Sequence, residues 1–131
     1  MIVVDTSIVV AIIREEAESK NFVEILDENA AIMSAVSYVE THMVVAGRKL
    51  DADLREVDGT IHDLGIEIVD VTRDQTNAAL RAFLKYGKGR HQARLNLADC
   101  FVYALAKSRG APLFFKGDDF AQTDIAPAWR S

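Results

Sequence analysis

Met1-Ile-Val-Val-Asp-Thr-Ser7 is the stretch whose reading decides the fold. Residues 1–4 form a short, β-branched apolar run that reads as a buried strand. Asp5-Thr6-Ser7 then supplies helix-start chemistry: short polar side chains whose oxygens can accept from an orphan N–H of a first turn. The apolar run from Ile8 to Ile13 reads as the helix itself. A strand that hands an acid straight to a helix opens a βα unit, and the remaining sequence decides whether that unit repeats.

It does repeat. Phe22, Val23 and Leu26 give one apolar face to a helix over about 19–29, and residues 31–35 (Ala-Ile-Met-Ser-Ala) read as a second strand. Ser37-Tyr-Val-Glu40 has the spacing of a capping box, which predicts a third helix from there to about Lys49. Leu54, Val57, Ile61 and Leu64 recur at three- and four-residue steps, predicting a fourth helix that Gly65 ends. Residues 66–71 alternate as a strand does, and Thr72-Arg-Asp-Gln75 opens a helix through about Tyr86. A polar, basic loop from Gly87 to His91 precedes an apolar helix from about Asn96 to Ser108. Gly110 and Pro112 mark a turn, Leu113–Phe115 a further strand, and residues 123–126 a last short one. Alternation of this kind predicts a three-layer α/β/α domain with a central, mostly parallel sheet.

Composition sets the outer limits. The 131 residues, with no repeat or linker and only two prolines, read as one domain over 1–131. Half the residues are hydrophobic, a globular balance. A net charge of −5 argues against a plain nucleic-acid coat protein, yet suits a site neutralised by metal or a chain with a basic partner. The single cysteine, Cys100, excludes an internal disulfide and fits a reducing compartment. The apolar start lacks a basic leader region, and residues 8–13 fall far short of the ~20 apolar residues of a membrane span. The expectation is a soluble, cytoplasmic protein.

In open parallel sheets, ligands bind beyond the carboxyl ends of the strands. Asp5 follows the first strand, Glu40 lies in the first turn after the second, and Asp118 follows Leu113–Phe115 within Gly117-Asp118-Asp119. Each has an ordinary reading: helix cap, capping-box partner, Asx turn. Asp99 is harder to dismiss, because Leu97 to Ala106 holds no other charge. A carboxylate there must be paired, protonated or on a metal, although capping from N3 with Asn96 as N-cap is a further reading. Gathered together, such acids repel one another unless a divalent cation lies between them. Oxygen-only ligands suit Mg²⁺ or Mn²⁺, whose matching chemistry is phosphodiester hydrolysis. Asp5 and Asp99 are the candidate metal ligands; Glu40 and Asp118 would complete the shell or orient the attacking water.

The ordered set of MIVVDTS, Ser-x-x-Glu40, Leu95-Asn-Leu-Ala-Asp-Cys100 and Leu113-Phe-Phe-Lys-Gly-Asp-Asp-Phe120 resembles PIN domains along essentially the whole chain. With Tyr86-Gly-Lys-Gly-Arg-His91 added, it is most similar to VapC-type toxins. The resemblance implies a Mg²⁺- or Mn²⁺-dependent endoribonuclease, a VapB-like antitoxin whose tail occupies the active-site groove, and a homodimer. It carries the acidic set onto Asp5, Glu40, Asp99 and Asp118. Asp118 is preferred to its neighbour Asp119 because it stands two residues after Lys116, where many relatives have Thr-x-Asp. Thr6 and Ser7 match as well, and Thr6 is a candidate to support the metal site or a phosphate.

Lys85, Lys88, Arg90, His91 and Arg94 form a basic cluster in an otherwise acidic chain. It reads as an RNA-phosphate rim, as an antitoxin contact, or as a solvated loop that Gly87 and Gly89 make flexible. The histidines show no metal-type spacing, so zinc is not expected. Cys100 reads as core and Trp129 as packing near the C-terminus. Two other functions fit less well. A HAD-like phosphatase needs a second carboxylate two residues after the first acid, where Ser7 stands. A non-catalytic PIN-like module has no need to keep all four acidic positions filled.

Overall fold

The computed structural model describes residues 1–47 and 54–131. Strand β1 (Ile2–Val4) is buried at every position and lies inside the sheet, flanked in parallel by β2 (Ala31–Ser34) and β4 (Leu113–Phe114). β3 (Ile66–Val69) pairs in parallel with the outer side of β2, giving the order β3-β2-β1-β4.

Alternating side chains of these strands feed two cores, the consequence of a period of two along each strand. Ile2, Val4, Met33 and Phe114 pack against α1 (Thr6–Ile13), α2 (Ser19–Glu28) and α4 (Leu54–Asp63) through Ile8, Val9, Phe22, Leu26, Val57 and Ile61. Val3, Ile32 and Leu113 pack against α5 (Arg73–Tyr86) and α6 (Leu97–Arg109) through Ala79, Ala82, Val102 and Leu105. The result is the three-layer α/β/α domain that the alternation predicts. Each fully buried aliphatic or aromatic side chain contributes about 1.5–3 kcal/mol of transfer free energy. Trp129 extends the first core, its ring edge-on to Phe22 at 4.9 Å, so the residue expected to pack does so.

The departures are local. Helix α3 (Ala35–Gly47) starts two residues before Ser37, because the Ser34 hydroxyl at the end of β2 accepts from Val36 N (3.2 Å) and caps it first. Ser37 is therefore fully buried inside the helix, and the capping box expected with Glu40 is not formed. The predicted continuation of this helix to Lys49 lies outside the described residues. The last expected strand reduces to one parallel bridge between Leu113 and Pro127, held by Leu113 N to Ala126 O and Ala128 N to Leu113 O, both 2.8 Å. Proline has no N–H to extend a ladder. Among the described residues, no helix is long and apolar enough to cross a membrane.

The chain steps from β1 outward to β2 and β3, then returns to the far side of β1 for β4. This reversal opens a crevice at the carboxyl ends of β1 and β4, the place where such sheets bind ligands.

Candidate active site

Asp5 leaves β1 and caps α1: its Oδ2 accepts from Ser7 N (3.0 Å) and from Ser7 Oγ (2.6 Å). The Ser7 hydroxyl in turn accepts from Lys116 N (3.0 Å), just beyond β4. One serine therefore ties the first acid to the loop that carries the last. Asp99 sits at N3 of α6, where Asn96 and Asp99 form a reciprocal capping box: Asn96 N donates to Asp99 Oδ2 (3.1 Å) and Asp99 N to Asn96 Oδ1 (2.9 Å). Both acids are thus caps, as their ordinary readings hold. Both are also nearly inaccessible, at 7% and 8% exposure, which a cap alone does not require. Glu40, half-buried on α3, completes the inner group.

The electrostatics show which charges meet. Burial pushes the Asp5 carboxyl up, against the two Ser7 hydrogen bonds, and the charge of Asp119 raises it further. Burial also raises Glu40, opposed by the Thr6 hydroxyl and reinforced by Asp5. Asp99 is pushed up to about 7, chiefly by burial, with the Asn96 N–H opposing and Asp5, Asp119 and Glu40 all adding repulsion. Acids from β1, α3, α6 and the loop after β4 therefore converge on one place. The loop member of that group is Asp119. Asp118 lines a groove with Glu18, Lys116, Thr123 and Trp129.

Thr6 is buried, and its hydroxyl donates to the Ser37 carbonyl (3.1 Å). Thr41 Oγ1 lies 2.7 Å from that carbonyl and 3.1 Å from Thr6 Oγ1. This hydroxyl pair seats α3, and with it Glu40, against α1. Lys116 was only a landmark in the sequence; its ammonium is held by Glu16 Oε1 (2.7 Å) and Glu18 Oε2 (3.0 Å). Lys88, Arg90, His91 and Arg94 do gather, around a shallow hollow of the 87–95 loop. Burial, with the Asp99 charge behind it, lifts the Cys100 thiol to about 11, which suits a core residue and no nucleophile.

Among the described residues, no three acids, histidines or cysteines close tightly enough to form a ready-made metal cage. Mg²⁺ does not need one, since it binds through one or two carboxylates plus waters and substrate phosphate. The hard oxygen donors of Asp5 and Asp99, buried and mutually repelled, fit such an ion.

The structure is a small α/β domain with clustered acids at the switch point of its sheet, and comparison gives its family. The PIN domain family matches residues 2–126. Ribonuclease VapC30 of Mycobacterium tuberculosis is 44% identical over 125 residues, covering 95% of each chain. Ribonuclease VapC42 of the same organism is 43% identical over 128 residues, 96% of this chain and 98% of its own. The crystal structure of M. tuberculosis VapC20, titled a sarcin-ricin loop cleaving toxin, superposes with a TM-score of 0.74 at 17% identity, over 96% of this chain and 97% of that one. A toxin–antitoxin complex from Klebsiella pneumoniae gives 0.69 at 17% identity, over 95% and 93%. The last two likenesses bear on the fold alone. The chain belongs to the PIN domain family and, within it, to the VapC-type ribonucleases.

Proposed function

We propose that this chain is the toxin of a type II toxin–antitoxin pair, an endoribonuclease that hydrolyses RNA phosphodiesters with a divalent metal in the cytoplasm. The observation that supports this best is the meeting of Asp5, Glu40, Asp99 and Asp119, from four separate elements, at the crevice between β1 and β4. In this reading Asp119, and not its neighbour Asp118, is the fourth acid.

Asp5 and Asp99 would hold Mg²⁺ or Mn²⁺, locked in orientation by Ser7 and by the Asn96 N–H. When bound, the ion supplies Lewis-acid activation of water and stabilises the departing oxygen. Glu40, raised by burial and by Asp5, would take a proton from the attacking water. Asp119 is exposed at the rim and would orient that water from the loop side.

A VapB-like antitoxin is the partner we assign, with a second copy of the chain completing a homodimer. Val39, Met43 and Leu97 are 54%, 68% and 76% exposed. They rim an apolar hollow of about 700 Å³ that reaches Glu40, a surface suited to a protein partner.

The test is cleavage of total cellular RNA by the antitoxin-free protein in Mn²⁺ or Mg²⁺. Discrete metal-dependent fragments are expected, reduced at least ~100-fold by Asp99→Asn or Asp119→Asn and little changed by Asp118→Asn. A folded protein that cleaves nothing with either metal is a non-catalytic module, and this reading fails.

A further inference from the structure

The 87–95 loop carries charge that the acidic site does not use. Its backbone is closed and internally bonded, contrary to the flexible loop its two glycines suggest. Gly87 bridges Leu95 in parallel, with Lys88 N donating to Leu95 O and Leu95 N to Tyr86 O, each 3.0 Å. Arg90 N and His91 N both donate to Gly87 O (2.9 and 3.0 Å), and Arg94 N donates to His91 O (3.0 Å). The His91 ring sits edge-on to Tyr86 at 5.0 Å, and its Nδ1 accepts from Ala93 N (2.9 Å), which leaves the ring proton on Nε2.

Arg94 is held at φ +54°, a left-handed conformation that costs a non-glycine residue of order 1 kcal/mol. That strain is fixed by the hydrogen bonds on either side of it, and it turns an exposed guanidinium outward between buried Ala93 and Leu95. Arg90 Nε donates to the Leu84 carbonyl (3.2 Å), which anchors that side chain while its terminal nitrogens stay available. Among the described residues, no carboxylate pairs with Lys88, Arg90 or Arg94. In a chain of net charge −5, three such cations on one internally bonded loop form a local basic patch.

The location is informative as well. Arg94 stands two residues before Asn96, whose N–H binds Asp99, so its Cα lies within ~7 Å of chain from the acid site's own support. The hollow is lined by Lys88, Gly89, Arg90, His91, Gln92 and Arg94, with no apolar side chain among them. The apolar side chains that a protein partner buries stand at the Val39–Met43–Leu97 hollow and not on this loop. A polyanion needs only the charges.

The geometry points to a preformed phosphate-binding loop: Lys88, Arg90 and Arg94, with His91 Nε2–H as a further donor, grip the RNA backbone along the segment that leads into α6. This rests on the RNA-cleaving reading above and assigns to the loop the grip that the acidic crevice cannot provide. Sequence-independent contacts of this kind fix register on the strand without reading bases.

The experiment measures binding apart from cleavage. A fluorescent single-stranded RNA of about 20 nucleotides is titrated in EDTA against the full chain carrying Asp99→Asn, with and without Lys88→Gln and Arg94→Asn. Asparagine tolerates the left-handed backbone, so the loop is kept; Arg90 is left in place because it also caps α5. Lys20→Gln with Arg73→Gln makes the same charge change on exposed residues of α2 and at the far end of α5. The loop pair is expected to weaken RNA binding about tenfold and to make log K against log salt shallower by about 1.4, two contacts at about 0.7 each. The control pair should change neither by more than about twofold. Equal behaviour of the two pairs overturns the proposal, as does a loop-pair loss that is as large for poly-L-glutamate as for RNA, which would assign the loop to an acidic protein partner. Because the binding is read on a non-cleaving background, absence of nuclease activity in the parent chain would sink the function above and leave this result intact.

Discussion

Asp99 holds two positions at once, as N3 partner of the Asn96 cap and as the acid on which three other carboxylates bear. The cap stabilises its charged form, whereas burial and the charges of Asp5, Asp119 and Glu40 oppose it, and the second group wins. Without metal, the folded state therefore binds a proton at about 7 where an unfolded Asp binds one near 3.9. A folded-state value raised above the unfolded one stabilises fully below about pH 4, and that contribution is lost as pH rises through 7. The macroscopic titration belongs to the acid group and not to Asp99 alone. The full shift corresponds to ~4 kcal/mol, and solvent at the crevice mouth screens part of it. In EDTA, Asp99→Asn should thus be more stable than the parent chain by about 2 kcal/mol at pH 8, the gap closing by pH 4.5. Asparagine keeps an oxygen for the Asn96 N–H, so the cap survives. Denaturant melts at the two pH values check this; a variant less stable than the parent at pH 8 would mean that the cap outweighs the repulsion.

At the scale of elements, the loop after β4 is fastened at both faces. Its backbone reaches inward, Lys116 N to Ser7 Oγ, and its side chain outward to Glu16 and Glu18 on the turn between α1 and α2. These pairs are about one-third exposed, so they add under ~1 kcal/mol to stability. Their effect on where Asp119 sits is the larger one. Lys116→Ala should lower the melting temperature by no more than about 3 °C yet cut RNA cleavage about tenfold, with Lys116→Arg restoring most of it. Equal activity in Lys116→Ala and the parent chain would show that the loop needs no outer fastening. None of this was readable along the chain. Asp5, Thr72 and Asn96 were legible because a cap acts over two or three residues. Lys116 and Glu16 are 100 residues apart. Where the neighbouring Asp118 and Asp119 carboxylates lie is set by backbone geometry: Gly117 at φ +118° redirects the chain, and Asp119 opens the 3₁₀ turn Phe120–Gln122. Sequence spacing, which favoured Asp118 by analogy with Thr-x-Asp, carries no such dihedral. The early start of α3 was hidden likewise, since Ser34 and Ser37 offer the same capping chemistry and only the end of β2 decides between them.

On the scale of the whole molecule, the charge distribution joins the separate pieces. Four acids gather at the carboxyl edge of the sheet, unpaired cations gather on the 87–95 loop, and the two are linked by the Leu95–Asn96 backbone. The repulsion stored at the acid edge makes the domain less stable at neutral pH than its two cores alone would allow. A divalent ion that relieves it must therefore stabilise the folded chain, by RT ln(1 + [ion]/Kd), and must displace protons as it binds. Mn²⁺ at 1 mM should raise the melting temperature at pH 8 by several degrees, about 1–2 kcal/mol, for an affinity near 0.1 mM. At pH 5 the same addition should have a smaller effect, because a proton on Asp99 competes with the ion. Asp5→Asn with Asp99→Asn should abolish the response at both pH values while keeping the fold, since amides retain the cap oxygens. A Mn²⁺ shift equally large at pH 5, or one that survives in the double variant, would place the ion away from this crevice, and the assignment of Asp5 and Asp99 as its holders would fall with it.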